Sequence, residues 1–437
     1  MKRLGLLASA SALIFILTAY SDGGLGVISA SSWGQESMAG EDQTIELSFW
    51  TFGNTNYEEL AQAYMQEHPH IRINIRHSRD QAAHHNELTA RLAAGSGAPD
   101  IFQLDIGYIQ RFIHAEDRFH NLNDLGAKSV RDRYPDWVWE AAASADGSFQ
   151  FGLPADIGPT VAYYRADLVE QAGLPAEPAS FSEAISTWDE FVHMARRFKE
   201  QTGKPFVDSW EGIFRIVRDQ AEEEIYYSED DGSFIGDRNP QVKRAYDLAA
   251  LGIREGWIYG AGPGPEEWAQ GASDGGFAVV PGPVWLLEAI RSHAPDTAGL
   301  WRVAQLPEGS ANWGGSILVL PRGGQHPEEA YAWVEWLVSR DHQLASFLRS
   351  GMMPSIPDLY EAPEFRSHRD EFLGGQASAE EFGKAARSVK PVYYGPLHDQ
   401  TDAYIMAALR NVEELGADPD AEWLSALEKI RRFVLHS

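Results

Sequence analysis

Two polar residues at the end of a short apolar segment are the first candidates for binding chemistry. The segment 101–104 is Ile-Phe-Gln-Leu, which predicts a buried strand; Gln103 lies inside it and Asp105 follows it directly. Trp285 comes after a Pro-Gly-Pro turn, and Trp313 precedes two glycines. Carboxylates make charge-assisted hydrogen bonds to hydroxyl groups, and indole rings bury a large area at little entropic cost. These residue types favour a hydroxyl-bearing ligand with apolar faces, although Asp105 could instead cap a helix.

The sequence contains one nominal match to a catalytic motif. Residues 271–275 fit the G-x-S-x-G pattern of a nucleophile elbow, which needs a strand before the serine and a helix after it. Here polar residues come before it and the apolar segment 277–280 comes after it, so we predict a loop. Neither a phosphate-binding G-x-x-x-x-G-K-[ST] loop nor an H-E-x-x-H motif is present. A carboxylate pair for glycoside hydrolysis stays open, because no spacing distinguishes one pair among the 64 acidic residues.

Several histidines lie close together in the first part of the chain, at positions 68, 70, 77, 84 and 85. Histidine is a common zinc ligand, but tetrahedral sites need ligands that converge from defined spacings. His84 and His85 are adjacent and would point apart on a helix. We therefore predict a solvated surface cluster rather than a metal site, and we expect neither a metal nor another cofactor.

The composition excludes several classes of protein. The chain has 437 residues, which suggests at least two lobes. Its formal net charge of -28 makes nucleic acid and anionic membranes poor partners, because a polyanion would be repelled. The absence of cysteine excludes disulfides, thiolate zinc sites and cysteine nucleophiles. The 14 tryptophans are either core residues or exposed stacking surfaces.

The first residues have the pattern of an export signal. Two basic residues precede the apolar run 4–19, which is shorter than the roughly 20 residues that span a membrane. We predict a signal peptide over 1–20 and a flexible tether over 21–43. The segment before the tether resembles a bacterial lipoprotein box, but Tyr20 occupies the position of the lipidated cysteine. A lipid anchor is therefore not expected, and the cleavage site stays open.

The hydrophobic pattern that follows predicts an α/β fold. Apolar residues alternate over 45–49, recur at helical spacing over 60–65 and alternate again over 71–75. This β–α–β order predicts parallel strands. Thr187 with a glutamate three positions later has the form of a capping box, and Asn239 before a proline predicts another helix start.

A series of motifs in consistent order resembles the extracellular solute-binding proteins of sugar ABC importers, family 1. Each motif alone is weak, whereas their order and spacing together are specific, and the similarity runs from residue 44 to the C-terminus. The segments that carry it are 47–52, 95–105, 152–165, 187–191, 282–285, 312–316 and 326–330.

The resemblance implies a periplasmic-binding-protein-like fold with two α/β lobes, a hinge and a ligand cleft between the lobes. The first lobe would combine residues 44–153 with 308–352. The second lobe would combine residues 154–307 with 353–437. Hinge closure would enclose the ligand in the cleft.

The resemblance also implies further ligand-binding residues. Asp156 is expected to accept a hydrogen bond from a sugar hydroxyl, and Trp285 is the strongest stacking candidate. A helix cap for Asn54 and core packing for Trp210 are the alternatives, and the glycines after Trp313 would let backbone N–H groups approach a ligand. The residues added on this basis are Asn54, Asp156, Trp210, Glu211, Gly314, Gly315 and Tyr394.

The implied function is that of an exported, non-enzymatic receptor. It would bind a sugar or oligosaccharide and deliver it to the membrane permease of an ABC importer, as an extracellular or cell-surface monomer. Two alternatives stay open: an extracellular glycoside-active enzyme, and a receptor for another solute such as a peptide or polyamine.

Overall fold

The computed structural model describes residues 44–221, 224–260, 262, 266–395 and 397–435. The predicted signal peptide and tether fall on residues 1–43, outside the described part of the chain. Within that part, no helix combines the length and the apolar character needed to cross a bilayer. The same residues contain no group of three or more His, Cys, Asp or Glu side chains arranged to hold a metal ion.

The strands of the described residues form one mixed sheet in the order β2-β1-β3-β7-β4-β5, and β6 pairs with β4 outside that path. Their bounds are β1 (Ile45–Phe52), β2 (Ile71–Ser78), β3 (Ile101–Asp105), β4 (Gly152–Arg165), β5 (Val279–Pro283), β6 (Trp301–Ala304) and β7 (Asn312–Val319).

Helices cover both sides of this sheet and connect its strands. They are α1 (Tyr57–Glu67), α2 (Gln81–Ala94), α3 (Asp136–Glu140), α4 (Ala166–Gln171), α5 (Pro178–Ala184), α6 (Trp188–Thr202), α7 (Trp210–Asp219), α8 (Pro240–Glu255), α9 (Glu266–Asp274), α10 (Leu286–His293), α11 (Pro327–Leu337), α12 (Arg340–Ser350), α13 (Pro363–Ser367), α14 (Ser378–Ser388), α15 (His398–Leu415) and α16 (Pro419–Val434). Short 3-10 helices occupy Ile106–Arg111, Glu116–Arg118, Leu122–Leu125, Ala127–Arg133, Pro295–Thr297 and Pro357–Glu361.

The predicted β–α–β unit is confirmed by the first elements of the fold. β1 pairs in parallel with β2 and with β3, and α1 makes the first crossover. Leu47 and Phe49 are fully buried, as the alternation of apolar and polar residues predicts. Because parallel strands end at the same edge, the C-terminal ends of β1 and β3 lie side by side.

β4 connects the two parts of the sheet. Its first half is antiparallel to β7, and its second half is antiparallel to β5 and β6. The register with β7 shifts between Pro154 and Asp156, and again between Ile157 and Pro159. Such irregularities locally bend a strand and redirect its side chains. The strand therefore carries Asp156 at a distorted position near the centre of the sheet.

Two helix starts that the sequence predicts are confirmed, and one predicted loop is part of a helix. Thr187 and Glu190 form a reciprocal capping box at the start of α6. The Asn239 side chain caps α8 by accepting a hydrogen bond from the backbone of Gln241. The loop prediction for 271–275 is wrong, because α9 continues to Asp274 and buries Trp268, Gly271 and Ala272 at helical spacing.

Candidate functional site

A row of three polar side chains crosses neighbouring strands of the sheet. Asp105 at the end of β3 and Asp156 on β4 are both register partners of Ser316 on β7. Register partners present their side chains on the same face of a sheet, so the two carboxylates flank the Ser316 hydroxyl. This hydroxyl donates a hydrogen bond to Asp156 Oδ1. Ser316 and Asp105 are buried, whereas part of Asp156 is exposed.

Gln103 joins this row to β1. Its Nε2 donates to Ser316 Oγ at 3.0 Å. Its Oε1 accepts hydrogen bonds from the Thr51 hydroxyl and, at 3.2 Å, from the backbone N–H of Phe52. These bonds occupy the buried amide and fix the position of Ser316. A direct ligand contact by Gln103 stays a prediction.

The Asp105 carboxylate is held from two sides. Oδ1 accepts from the backbone N–H of Gly107 at 2.7 Å, and Oδ2 accepts from Gln81 Nε2 at 2.7 Å. The Gly107 bond also caps the 3-10 helix that follows β3, so the alternative role as a helix cap is present as well. Because these donors occupy one position on each oxygen, both oxygens retain acceptor capacity for a ligand.

His84 and His85 lie beneath β3, and the prediction that they are solvated is wrong. His84 Nε2 is 2.9 Å from the backbone oxygen of Gln103. His85 Nε2 accepts from the backbone N–H of Asp105 at 3.0 Å, which makes its Nδ1 the donor to Gln81 O at 2.7 Å. Burial lowers the pKa of His84 to about 4 and that of His85 to about 3, although the backbone hydrogen bonds act in the opposite direction. Both imidazoles are therefore uncharged at neutral pH, and their hydrogen bonds hold the backbone of β3 in place.

Burial makes both carboxyl groups weaker acids than usual. It raises the pKa of Asp105 to about 6, although the hydrogen bonds from Gly107 and Gln81 lower it. Burial likewise raises the pKa of Asp156 to about 7; the Ser316 hydroxyl lowers it, and the negative charge of Asp105 raises it further. Two carboxyl groups that repel each other in a desolvated site are well suited to bind hydrogen-bond donors.

The predicted tryptophans lie together beside Asp105. Trp285 is 44% exposed, and its Nε1 donates to the backbone oxygen of Trp313 at 3.1 Å. The two rings meet edge to face, with centroids 6.2 Å apart. A Cβ at Gly314 would lie 3.2 Å from Trp285 Nε1 and 3.7 Å from Asp105 Oδ2. The structure therefore brings Asp105, Trp285, Trp313 and Gly314 into one site.

Two further glycines allow β4 and β7 to approach each other at this point. A Cβ at Gly158 would lie 2.0 Å from the backbone oxygen of Trp313, which is impossible without displacement. Gly315 has φ of 103°, and a Cβ there would lie 2.8 Å from the backbone oxygen of Asp156. Both positions require glycine, and both set the path of the backbone that carries Trp313.

Arg215 supports Trp313 from α7. Its guanidinium lies 5.3 Å from the centre of the Trp313 ring, a cation–π arrangement. Its Nε is 2.9 Å from Glu211 Oε1, and its Nη1 is 3.3 Å from Asp402 Oδ2. Asp402 also pairs with the fully buried Arg218. The guanidinium therefore belongs to a buried network of charged side chains that ends at the Trp313 ring.

A second arginine links the segment after β3 to α15. Arg111 lies 3.3 Å from Asp399, although 288 positions separate the two residues in sequence. The Arg111 guanidinium also lies 4.3 Å from the centre of the Tyr108 ring. This pair borders the site, because the Asp399 charge contributes to the raised pKa of Asp105.

Comparison with known proteins identifies the family. Residues 53–344 match the family model described as bacterial extracellular solute-binding protein. The chain belongs to this family. Two relatives, both named arabinooligosaccharide-binding protein, are each 26% identical to this solute-binding protein. The relative from Halalkalibacterium halodurans aligns over 366 residues, 78% of this chain and 79% of its own. The relative from Bacillus subtilis aligns over 381 residues, 82% of this chain and 85% of its own.

A solved structure with the same architecture is a crystal structure of an extracellular solute-binding protein of family 1. It has a TM-score of 0.82 and 29% sequence identity, and the match covers 89% of this chain and 99% of the other. The two-lobe α/β fold class expected from the sequence is therefore confirmed for this solute-binding protein.

Three of the ligand-binding residues predicted for this solute-binding protein make their hydrogen bonds outside the group of Asp105, Asp156, Trp285 and Trp313. Asn54 is exposed, and its Nδ2 donates to the backbone oxygen of Ser350 at 3.1 Å. Trp210 is buried in the core, and its Nε1 donates to Glu413 at 2.8 Å. The hydroxyl of Tyr394 lies 3.3 Å from Asp219, within the charge network behind Arg215. Ligand contacts for these residues stay predictions, and the burial of Trp210 favours the packing alternative.

Four residues that border the site were not among the sequence candidates: Gln81, Ser316, Arg215 and Arg111. Ser316 was within reach of sequence reasoning, because it follows the Trp-Gly-Gly motif at the start of a strand. Arg215 was also predictable as a partner of Glu211, since it lies one helical turn after that residue. Gln81 and Arg111 join the site only through tertiary pairing, and the sequence gives no local sign of it.

Proposed function

We propose that this solute-binding protein is the receptor of an ABC importer that binds a neutral sugar or oligosaccharide and releases it unchanged. One observation carries the proposal: two carboxyl groups flank Ser316 beside two partly exposed indole rings. Sugars present hydroxyl donors and apolar C–H faces, which match these acceptors and rings. The names of the two relatives, which refer to arabinooligosaccharides, support a carbohydrate ligand.

We assign the site to a cleft between two hinged lobes. The first lobe would comprise 44–153 with 308–352 and would contribute Asp105 and Trp313. The second lobe would comprise 154–307 with 353–437 and would contribute Asp156 and Trp285. The ion pair between Arg111 and Asp399 would then join the two lobes across the cleft.

Within this cleft we assign distinct roles to the side chains. Asp105 and Asp156 accept hydrogen bonds from sugar hydroxyls, and Trp285 with Trp313 covers an apolar face of the ring. Gly314 leaves space at the backbone for the ligand to approach. Asn54, Glu211 and Tyr394 would contribute at the periphery of the site.

The proposed biological setting follows from the family. The receptor would be exported, act outside the cell membrane as a monomer, and present its ligand-bound form to the permease subunits of the importer. Ligand binding would stabilise the closed arrangement of the lobes, which the permease would recognise. No catalytic step is needed for this role.

Titration with a panel of neutral mono- and oligosaccharides tests the proposal, with tryptophan fluorescence and thermal unfolding as readouts. We expect at least one sugar to raise the unfolding temperature and to be recovered chemically unchanged. Trp285→Ala should abolish the response while the protein stays folded, because the side chain is partly exposed and its loss leaves no large cavity. Trp137→Ala on α3 is the matched control and should bind normally. A response to peptides or amines, with none to any sugar, would refute the proposed ligand class.

A further inference from the structure

A cavity of about 270 Å³ adjoins Trp285 on the surface of the protein. Its walls come from α10, from the C-terminal end of α12 with Gly351, and from the segment 368–371. Neither Asp105 nor Asp156 lines it. The cavity is therefore separate from the row formed by Asp105, Ser316 and Asp156, which we call the carboxylate row. Trp285 lies next to both.

Two of the sequence-predicted residues connect this cavity to the site. Trp285 turns its Nε1 edge toward Trp313 and Gly314, and the same side chain lines the cavity. Asn54 donates a hydrogen bond to the backbone oxygen of Ser350, which also lines the cavity. A ligand that lies along Trp285 can therefore extend from the carboxylate row into the cavity.

The lining offers hydrogen-bonding groups of both kinds next to apolar surface. Arg291 is paired with Asp370 at 2.8 Å, so the cavity wall has donors and acceptors but little net charge at this point. Ser378 lines the cavity, and its buried hydroxyl has no hydrogen-bond partner among the described residues. Apolar surface comes from Leu287, Phe347, Leu348 and Phe382. This mixture suits a neutral hydroxylated group with apolar faces and does not favour an anion.

We propose that this cavity is an additional subsite that holds a second glycosyl unit, so that the ligand is an oligosaccharide that spans Trp285. The inference rests on the proposed function, since it assumes that a sugar binds at the carboxylate row. It adds that affinity depends on chain length and that the dependence arises at this cavity. Stacking on Trp285 and one or two hydrogen bonds from the lining would raise affinity about tenfold for the longer chain.

The experiment compares chain lengths in wild type and in a variant with an obstructed cavity. Leu348 lines the cavity and is 40% exposed, so Leu348→Trp fills space without disturbing the core. Leu348→Phe provides a smaller obstruction. Leu424→Trp, at a 65% exposed position on α16, controls for the added indole. Calorimetric titrations use arabino-, galacto- and malto-oligosaccharides, each from the monosaccharide to the pentasaccharide.

In wild type and Leu424→Trp, we expect affinity to rise about tenfold when the chain reaches the cavity. In Leu348→Trp this rise should disappear while the affinity for the shorter sugar stays within about twofold of wild type, with Leu348→Phe in between. An unchanged length dependence in Leu348→Trp, or no length dependence in wild type, would overturn the subsite and leave the sugar receptor intact. If no sugar of any length binds to wild type, the proposed function itself fails, and the subsite fails with it.

Discussion

Replacing Asp156 by asparagine is expected to stabilise the unliganded protein near neutral pH and to weaken sugar binding. Burial, reinforced by the charge of Asp105, raises the pKa of Asp156 from 3.8 to about 7 in the folded protein. The folded protein then binds this proton more tightly than the unfolded chain does. The resulting stabilisation is complete below about pH 4 and is lost as the pH rises toward about 7.

The size of the effect follows from the shift. Each pKa unit corresponds to about 1.4 kcal/mol, so a rise from 3.8 to about 7 gives at most about 4 kcal/mol. Because part of the Asp156 side chain is exposed, water reduces this cost, and we expect about 2 to 4 kcal/mol. Asparagine keeps an oxygen that accepts the Ser316 hydrogen bond and never ionises. The variant should therefore exceed wild type by this amount above about pH 7, and the difference should vanish near about pH 4.

Urea unfolding followed by tryptophan fluorescence at several pH values measures the difference directly. Comparing variant with wild type at each pH cancels the contributions of the titrating groups that do not interact with Asp156. Asp132→Asn, at an exposed position, is the control for the loss of one carboxyl group. Calorimetric titration should show weaker sugar binding by Asp156→Asn. The reasoning is refuted if the variant is no more stable than wild type at about pH 8, or if the difference between them does not change with pH.

Two further substitutions test how Trp313 is held. Gly158→Ala places a Cβ 2.0 Å from the Trp313 backbone oxygen, so it should cost about 1–3 kcal/mol in urea unfolding and weaken sugar binding. Gly323→Ala, with its nearest contact at 3.2 Å, should cost less, and equal losses in the two variants would contradict the packing argument. Arg215→Met removes the cation–π contact together with the ion pairs to Glu211 and Asp402, and should weaken sugar binding about threefold to tenfold in calorimetry. Arg244→Met, which disrupts the pair with Glu308, should leave binding unchanged. Equal effects of the two arginine substitutions would show that Arg215 does not act through Trp313.

The sequence predicted those strands and helix starts that depend on residues close together in the chain. The alternation over 45–49 predicted β1 because the buried and exposed sides of a strand repeat every two residues. The caps at Thr187 and Asn239 were predictable because a capping side chain bonds to the backbone of its own helix. The loop prediction at Ser273 is wrong because Trp268, Gly271 and Ala272 lie on one buried helical face, which extends α9 through the motif.

The candidate site was predicted where a side chain ends a strand or precedes a pair of glycines, as for Asp105 and Trp313. It was not predictable where a partner comes from a distant part of the chain. Asp156 meets Ser316 across 160 positions, and only the register between β4 and β7 brings them together. His84 and His85 share the buried face of α2 with Leu88 at helical spacing, but the Phe102 and Tyr108 rings that stack on them lie outside that helix.

The groups that form the candidate site lower the stability of the unliganded fold. Two partly desolvated carboxyl groups repel each other, and the ring of Trp285 lies partly in water. Under the proposed function, hydroxyl donors would restore the hydrogen bonds that the carboxyl groups lost on burial, and the apolar face of a sugar would cover the indole. An anion would add another negative charge to the same row, and the cations Arg215 and Arg111 are already paired with carboxylates. Selection of a neutral polyhydroxylated ligand and the instability of the empty site therefore have the same physical origin.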